Sequence, residues 1–456
     1  MYKGGYRIGI IENFTTFLWD NMIAYMLIAV GILYTLRLRL PQISRLPNIF
    51  KETFGDLFKK GEKKEGEVSS FQALATAVAS QVGTGNIGGV ASAIMVGGPG
   101  AVFWMWISGL LGMSTIFAEA VLAQVYREER NGEQYGGPAY YLSKGLKNKK
   151  IGKILATLFS VFIIIALGLV GNMVQSNSIS LSLKNGFGIA PIITGIVLAV
   201  IVGLIVLGGV QRISKIAETI VPVMAVVYIL ASIGVVVKFH DQFIPVIKAI
   251  FTAAFSSKAV LGGMVGISMK TAMRLGLQRG LFSNEAGMGS TPHAHAVADV
   301  PHPVNQGFVA MAGVIIGTFF ICTLTAFVIL VTGAHIESAN LGLETVEVTQ
   351  LGFDIAFGNA GTIFLAIALA FFAFTTIIGW YYFGESNVVY LFGRKTLPVY
   401  RIVAILFVTL GTIVPVGTVW LFSDLFNALM VIPNLIGLVA LSGVVVKKYN
   451  EWRNKL

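Results

Sequence analysis

The densest run of chemically versatile residues in the chain is ASQVGTGNIGGVA, from Ala79 to Ala91. Ser80, Gln81, Thr84 and Asn86 are interleaved there with Gly83, Gly85, Gly88 and Gly89, and Gly83 to Gly88 is a literal GxGxxG. That pattern binds a dinucleotide when a strand precedes it, a helix packed on a sheet follows it and an acid lies about 20 residues on. Here the match sits inside the apolar run Phe71 to Val96, and the next acid is Glu119, a whole run away. Glycines spaced like Gly85 and Gly89 also let membrane helices approach closely, which accounts for the glycines but not for the polar side chains between them. A helix interrupted at membrane depth persists only where protein or a watery cavity satisfies its backbone. The chemistry left open is recognition, with loosened amides and carbonyls held out to a ligand.

The elements that must position such a break are membrane helices. The 456 residues are 55% hydrophobic and 12% charged, with mean hydropathy +0.78; soluble domains carry about 25% charged residues. Apolar runs of the roughly 20 residues needed to cross a ~30 Å hydrocarbon core recur along the chain. Barrel strands would alternate over about ten residues, so the expected class is an all-α polytopic membrane protein. Eleven transmembrane helices are expected: a leading one at 14–36, then ten core spans at 71–97, 101–124, 151–183, 192–208, 216–238, 257–281, 306–333, 360–384, 399–416 and 418–446. The start, MYKGGYRIGIIENF, has no cleavage-signal pattern, so the first run is kept as a span.

With the N-terminus outside, the inward segments hold 27 of the 33 Lys and Arg, while the outer loop 334–360 has four acids and no cation. The positive-inside rule then puts the C-terminus in the cytoplasm. The net charge of +11 follows the cell membrane and calls for no nucleic acid. Residues 1–37 form the leading helix, and 38–70 a cytoplasmic linker with an amphipathic helix around Pro47 to Phe58, lying on anionic lipid or simply solvated. The ten core spans divide into two fives, 71–238 and 239–446, before a cytoplasmic tail at 447–456. Five is odd, so the second five runs inverted. Each half opens on a glycine-broken span, QVGTGNIGG in the first and LGGMVGIS (Leu261 to Ser268) in the second. Paired interruptions of this kind point to the binding site of an inverted-repeat secondary transporter.

VGTGNIGGVASAIMVGGPGAVFWMW, together with RGLFSNEAGMGSTPHAHAVAD at Arg279 to Asp299, resembles the alanine or glycine:cation symporters, sodium-coupled carriers of small amino acids. The resemblance covers essentially the whole chain. It implies the inverted five-helix repeat of the amino acid, polyamine and organocation transporters behind one extra helix, with core helices 1 and 6 discontinuous and flanked at the site by spans 3 and 8. A zwitterion brings a carboxylate suited to half-helix N-terminal amides and an ammonium suited to carbonyls. The carboxylate is therefore expected on Gly83, Thr84, Gly85 and Asn86, with Gly262, Gly263, Gly266 and Ile267 offering carbonyls and pocket walls. Gln175 and Asn172 in span 3 are the expected polar contacts, hydrogen bonding to neighbouring helices being the alternative. The resemblance assigns sodium to Thr375 and Thr376 in span 8 and to the carbonyls of Ala79 and Val82; backbone bonding by the threonines is the alternative. Trp380 either closes the pocket towards the cytoplasm or anchors the helix at the interface.

Glu119, Glu218, Glu285 and Asp424 all fall near expected span ends, so no central acid is expected, which favours sodium over protons as the coupling ion. His293 and His295 are two apart with no cysteine or acid cluster beside them, a poor metal pair; the segment reads as an inner gate or an intracellular helix, with Asn284 and Glu285 capping it or bonding to neighbours and Arg274 or Arg279 pairing nearby. The lone Cys322, in an apolar run, excludes an internal disulfide and reads as a small buried hydrophobe. The expectation is a symporter of small neutral amino acids, alanine and glycine, with no cofactor besides the coupling ion. A proton-coupled carrier or exchanger is the alternative, and a channel a remote one. An enzyme would need a constellation such as HExxH or paired central carboxylates, and the chain has neither.

Overall fold

The computed structural model describes residues 4–55, 69–130, 133–255, 259–261, 264–267 and 269–455. In chain order the elements that shape the site are α1 (Gly9–Arg37), α2 (Leu46–Phe54), α3 (Ser70–Gln81), α4 (Gly85–Gly97) and α5 (Gly100–Val125), followed by a hairpin of β1 (Glu128–Arg130) and β2 (Glu133–Tyr135). Next come α6 (Pro138–Gly145), α7 (Lys149–Phe187), α8 (Pro191–Val206), α9 (Gln211–Lys238) and α10 (Phe243–Phe255), then a second hairpin of β3 (Ala259–Leu261) and β4 (Met264–Ile267). The chain continues through α11 (Met269–Asn284), α12 (Pro292–Ala296), α13 (Pro303–Val331), α14 (Val346–Phe357), α15 (Asn359–Phe392), α16 (Leu397–Gly411), α17 (Val416–Ala440) and α18 (Ser442–Arg453). Seven of these, α1, α5, α7, α9, α13, α15 and α17, are long and apolar enough to cross a membrane.

The polarity of the molecule is the reverse of a water-soluble one. On α8, Ile192, Ile196, Val200 and Leu204 recur every fourth residue and are exposed, while Thr194, Leu198, Val202 and Val206 on the other face are buried. The same outward stripe on α9 holds Val223, Val226, Leu230 and Val237. Thr84, Asn86, Asn172, Gln175, Thr375 and Thr376 are fully buried. Apolar stripes outside and polar groups inside suit a hydrocarbon solvent.

Two interruptions shape the interior. Ser69 starts α3 with a capping box, accepting from the Gln72 amide while the Gln72 side chain accepts from its own. The helix stops where Val82 turns to φ −110°, ψ 87°. At Gly83 a Cβ would lie 2.3 Å from the Thr376 hydroxyl, so α15 can approach this closely only against glycine. The second interruption follows α11. Glu285 takes φ 58°, Gly287 and Gly289 take φ 95° and 77°, and helix resumes only at Pro292, whose missing N–H suits the first turn of α12.

This second break lies well downstream of Leu261 to Ser268, where the sequence places it. Gly266 and Ile267 are in β4, with Ile267 paired to Ala259; Gly262, Gly263 and Ser268 lie outside the described residues. Glycine content alone does not separate a hairpin from a broken helix; what breaks the helix is the left-handed backbone at 285–289. One consequence is that Lys270, Arg274 and Arg279, counted above among inward segments, stand on the half-helix before the break. The amphipathic helix expected around Pro47 to Phe58 appears as α2, with Ile49 buried and Asn305 of α13 bonded to Glu52 at 2.6 Å; its expected end lies outside the described residues.

Candidate functional site

The α3–α4 break is held from three sides. The Gly83 amide donates to Asn86 Oδ1 at 3.1 Å, closing the loop on itself. The Thr84 amide donates to Gln175 Oε1 of α7 at 3.0 Å. Asn86 Nδ2 donates to Ser283 Oγ of α11 at 2.9 Å and to the Gly317 carbonyl of α13 at 3.1 Å. Gln175 and Asn172 are presented by α7 directly after a loosened π-type stretch, Ile164–Gly171, and Asn172 Nδ2 donates back to the Gly168 carbonyl at 3.1 Å. After these bonds, Thr84 Oγ1, Gln175 Nε2 and Asn172 Oδ1 have no partner among the described residues, although each is buried. An unpaired buried polar group costs about 1–3 kcal/mol. Two of these groups can donate to a carboxylate and the third can accept from an ammonium, a set complementary to an amino-acid zwitterion.

Beside the same break is a cluster of oxygens, with Thr376 Oγ1 and Gln175 Oε1 both facing Gly83. Thr376 Oγ1 lies 2.9 Å from the Ala79 carbonyl and 3.4 Å from that of Val82, and 3.1 Å from the Phe372 carbonyl of its own helix. Neutral hard oxygens of this kind suit an alkali cation. Thr375, expected beside them, donates to the Phe372 carbonyl at 2.9 Å and faces Met224 Sδ on α9 at 4.0 Å. Three of the four expected ion contacts are thus brought together, and the fourth points towards α9.

Three aromatic rings cross the region. Trp380 of α15 meets Phe282 of α11 edge-on at 5.4 Å, and Phe282 meets Trp420 of α17 at 5.0 Å. Beyond Trp420, Arg279 places its guanidinium 4.4 Å over the indole and donates to both carboxylate oxygens of Asp424, at 2.6 and 2.8 Å. A Cβ on Gly171 would come within 2.7 Å of the Trp380 ring, and one on Gly85 within 2.7 Å of Phe282. Trp380 is 1% exposed, inside the protein rather than at an outer surface.

Two acids that the sequence suggests near span ends, Glu119 and Glu285, stand inside the protein. Glu285 does not stand near a span end but at the second break, where Oε1 accepts from Trp380 Nε1 at 2.6 Å and Oε2 from Ser80 at 3.3 Å and from Ser290. Glu119 of α5 is also buried; it accepts from the Gly287 and Gly289 amides at 3.0 and 2.9 Å and from Asn434 at 2.6 Å. It thereby fixes the left-handed turn from outside. The absence of a central acid therefore no longer argues for sodium. His293 and His295 have separate partners: His293 bonds the Ser290 carbonyl and Asn387, at 2.7 and 2.8 Å, and His295 bonds Gln306 at 2.7 Å. Arg274 pairs with Asp20 at 3.1 Å.

Phe282, Glu285, Trp420 and Glu119 are the residues that sequence reasoning did not place at the site. The usable signal was the string NEAGMGS, whose two glycines around a polar start mark a chain reversal as strongly as GTGNIGG does. Nothing in sequence links Glu119 or Trp420 to it.

Among solved structures, the chain is similar to a manganese transporter of Eremococcus coleocola, with TM-score 0.54, 14% identity and coverage of 86% of this chain and 82% of that one. It is also similar to a Na+-coupled sialic acid symporter in an outward-open state, with TM-score 0.51, 14% identity and coverage of 92% and 82%. At such identities the likeness concerns the fold. Full-length sequence relatives carry more. The sodium/alanine symporter AgcS of Methanococcus maripaludis is 42% identical over 98% of both chains, and the probable sodium/glutamine symporter GlnT of Bacillus subtilis is 40% identical over 95% of this chain and 88% of its own. The model of the sodium:alanine symporter family matches residues 7–456. With the family model matched over residues 7–456 and a relative 42% identical over 98% of both chains, this chain belongs to the sodium:alanine symporter family.

Proposed function

We propose that the protein carries small neutral amino acids, alanine and glycine, into the cell together with sodium, by alternating access. The observation that carries this is the α3–α4 break, where the Ala79, Val82 and Thr376 oxygens meet and the Thr84, Gln175 and Asn172 groups are left unpaired among the described residues. The amino acid's carboxylate takes Thr84, Gln175 and the amides opening α4, where the helix dipole favours negative charge. Its ammonium takes Asn172 Oδ1 and carbonyls at the end of α11. Sodium takes the oxygen cluster, so that ion and substrate order the same break and each favours the other. Phe282 and Trp380 bound the space for the side chain, which suits small substrates.

Eleven spans fit this reading. The core pairs as α3–α4, α5, α7, α8 and α9 against α11–α12, α13, α15, α16 and α17, with the N-terminus outside and both interruptions at matching places. In that orientation Arg279–Asp424 lies on the outer side of the site and His293–Asn387 on the inner side. The deciding experiment is uptake of labelled alanine by proteoliposomes under an inward sodium gradient and then under the same potassium gradient. Sodium-dependent accumulation competed by glycine is expected; equilibration without sodium would overturn the coupling. Glu285 at the break supports a second reading, proton coupling. An inward proton gradient without sodium would drive accumulation under that reading alone.

A further inference from the structure

The ion cluster of Ala79, Val82 and Thr376 is assembled from neutral oxygens, two carbonyls and a hydroxyl. A cation drawn from water into a buried site of neutral dipoles remains electrostatically costly unless an anion stands near it. Among the described residues bonded around this region, Glu285 is the acid that can supply that charge. Glu285 accepts from Ser80, the residue after Ala79 on α3, and from Trp380, one helical turn beyond Thr376 on α15. Its two carboxylate oxygens thus join the same two helices that the oxygen cluster joins, one residue along on α3 and one turn along on α15. Its partners are neutral: the Trp380 N–H at 2.6 Å, the Ser290 hydroxyl and, at 3.3 Å, the Ser80 hydroxyl, whose single proton also faces the Ala77 carbonyl at 2.7 Å; no cation is bonded to the carboxylate among the described residues.

The backbone supports a role for the side chain. Glu285 occupies φ 58°, a left-handed conformation that glycine adopts freely and that Gly287 and Gly289 adopt just after it. A residue with a Cβ is strained there by about 1–2 kcal/mol. A glycine would end α11 equally well, so helix termination does not account for a glutamate at this position.

We infer that Glu285 is the fixed counter-charge of the sodium site and its mechanical link to the second break: a positioning residue that sets sodium affinity through its field and through Ser80 and Trp380, without ligating the ion. This rests on the sodium-symport reading above. It also assigns the break in α11–α12 a part in coupling, because ordering of the ion cluster is felt at the α11 terminus through one side chain.

The test separates charge from hydrogen bonding. The purified protein is heated in a series of sodium concentrations, potassium holding ionic strength constant, and the sodium concentration giving half the rise in Tm is read. Alanine uptake at saturating sodium is measured in parallel. Glu285→Gln keeps an acceptor for Trp380 and removes the charge; it is expected to raise the half-saturating sodium about tenfold or more, the scale of a unit charge acting across several ångströms of protein, with the alanine KM at saturating sodium little changed. Glu285→Asp keeps the charge and is expected to stay within about threefold of the wild type. A Glu285→Gln protein with wild-type sodium dependence overturns the inference, as does a Glu285→Asp protein as impaired as the Gln variant. Should the Gln variant not fold, Ser80→Ala tests the same link, and an unchanged sodium midpoint there overturns it. If the wild-type protein itself gains no stability from sodium, the sodium reading fails, a result distinct from failure of the inference alone.

Discussion

Arg279 and Asp424 form a two-fold hydrogen-bonded ion pair, at 2.6 and 2.8 Å, between α11 and α17 on the Trp420 side of the aromatic cluster. Both side chains are largely buried, 7% and 11% exposed. Removing one partner of such a pair costs about 3–5 kcal/mol, because the other charge is stranded. Asp424→Asn should therefore shift the population away from the form closed on this side. The protein has a single cysteine, Cys322, buried beside Ser283 and Asn86. A membrane-impermeant thiol reagent applied from outside should label it faster in the variant; an unaltered rate would mean that the pair does not gate access.

Gly83→Ala should abolish sodium-driven uptake while leaving a folded protein. The new methyl group would lie 2.3 Å from Thr376 Oγ1 and 2.9 Å from Gln175 Oε1, and so would push apart the ion cluster and the amide contact together. Uptake within a factor of two of the wild type would show that the break tolerates spreading.

Replacing Gln175 with Leu removes both the acceptor of the Thr84 amide and the unpaired Nε2 donor. Leaving a buried amide unpaired and losing one contact to the substrate, at about 1–3 kcal/mol, should raise the alanine KM at least tenfold. The sodium midpoint of thermal stability should move far less, and an equal shift in both would assign Gln175 to the fold of the break instead.

The two threonines of α15 should separate. Thr376→Val deletes the hydroxyl that meets the Ala79 and Val82 carbonyls, whereas Thr375→Val deletes one bonded to its own helix. Sodium activation of uptake should weaken about tenfold in the first, roughly the worth of one ligand oxygen at about 1.4 kcal/mol, and several times less in the second. A larger effect at Thr375 would relocate the cation towards α9.

Glu119→Leu should lower Tm by several degrees without a selective effect on sodium or alanine. Three donors, the Gly287 and Gly289 amides and Asn434, lose their acceptor in a buried place. Loss of transport at unchanged Tm would give Glu119 a functional rather than a structural part.

The membrane class, the helical content and the first break were readable because each is a local property. Apolar run length decides a span, and glycine beside small polar residues in such a run marks an opened turn whatever lies across from it. Ala79, Val82, Thr84 and Asn86 stand at that opened turn for this reason. The second break was misplaced because LGGMVGIS and NEAGMGS are alike as strings; whether a glycine pair makes a hairpin or a left-handed helix end depends on what holds its amides. Here Glu119, on another helix, accepts from Gly287 and Gly289.

By itself, the sequence determined that this chain lives in a membrane, that it bundles apolar helices and that one of them opens at Gly83, since hydropathy and backbone freedom are written residue by residue. Only the tertiary structure decided which groups face one another. It put Thr376 against Ala79 and turned Thr375 away, packed Phe282 between Trp380 and Trp420, and brought Glu285 from an expected span end to the meeting point of α3, α11 and α15. The physical reason is that hydrogen bonds and charge interactions act across a few ångströms of space, and helix packing makes neighbours of residues some 95 and 205 positions apart in the chain.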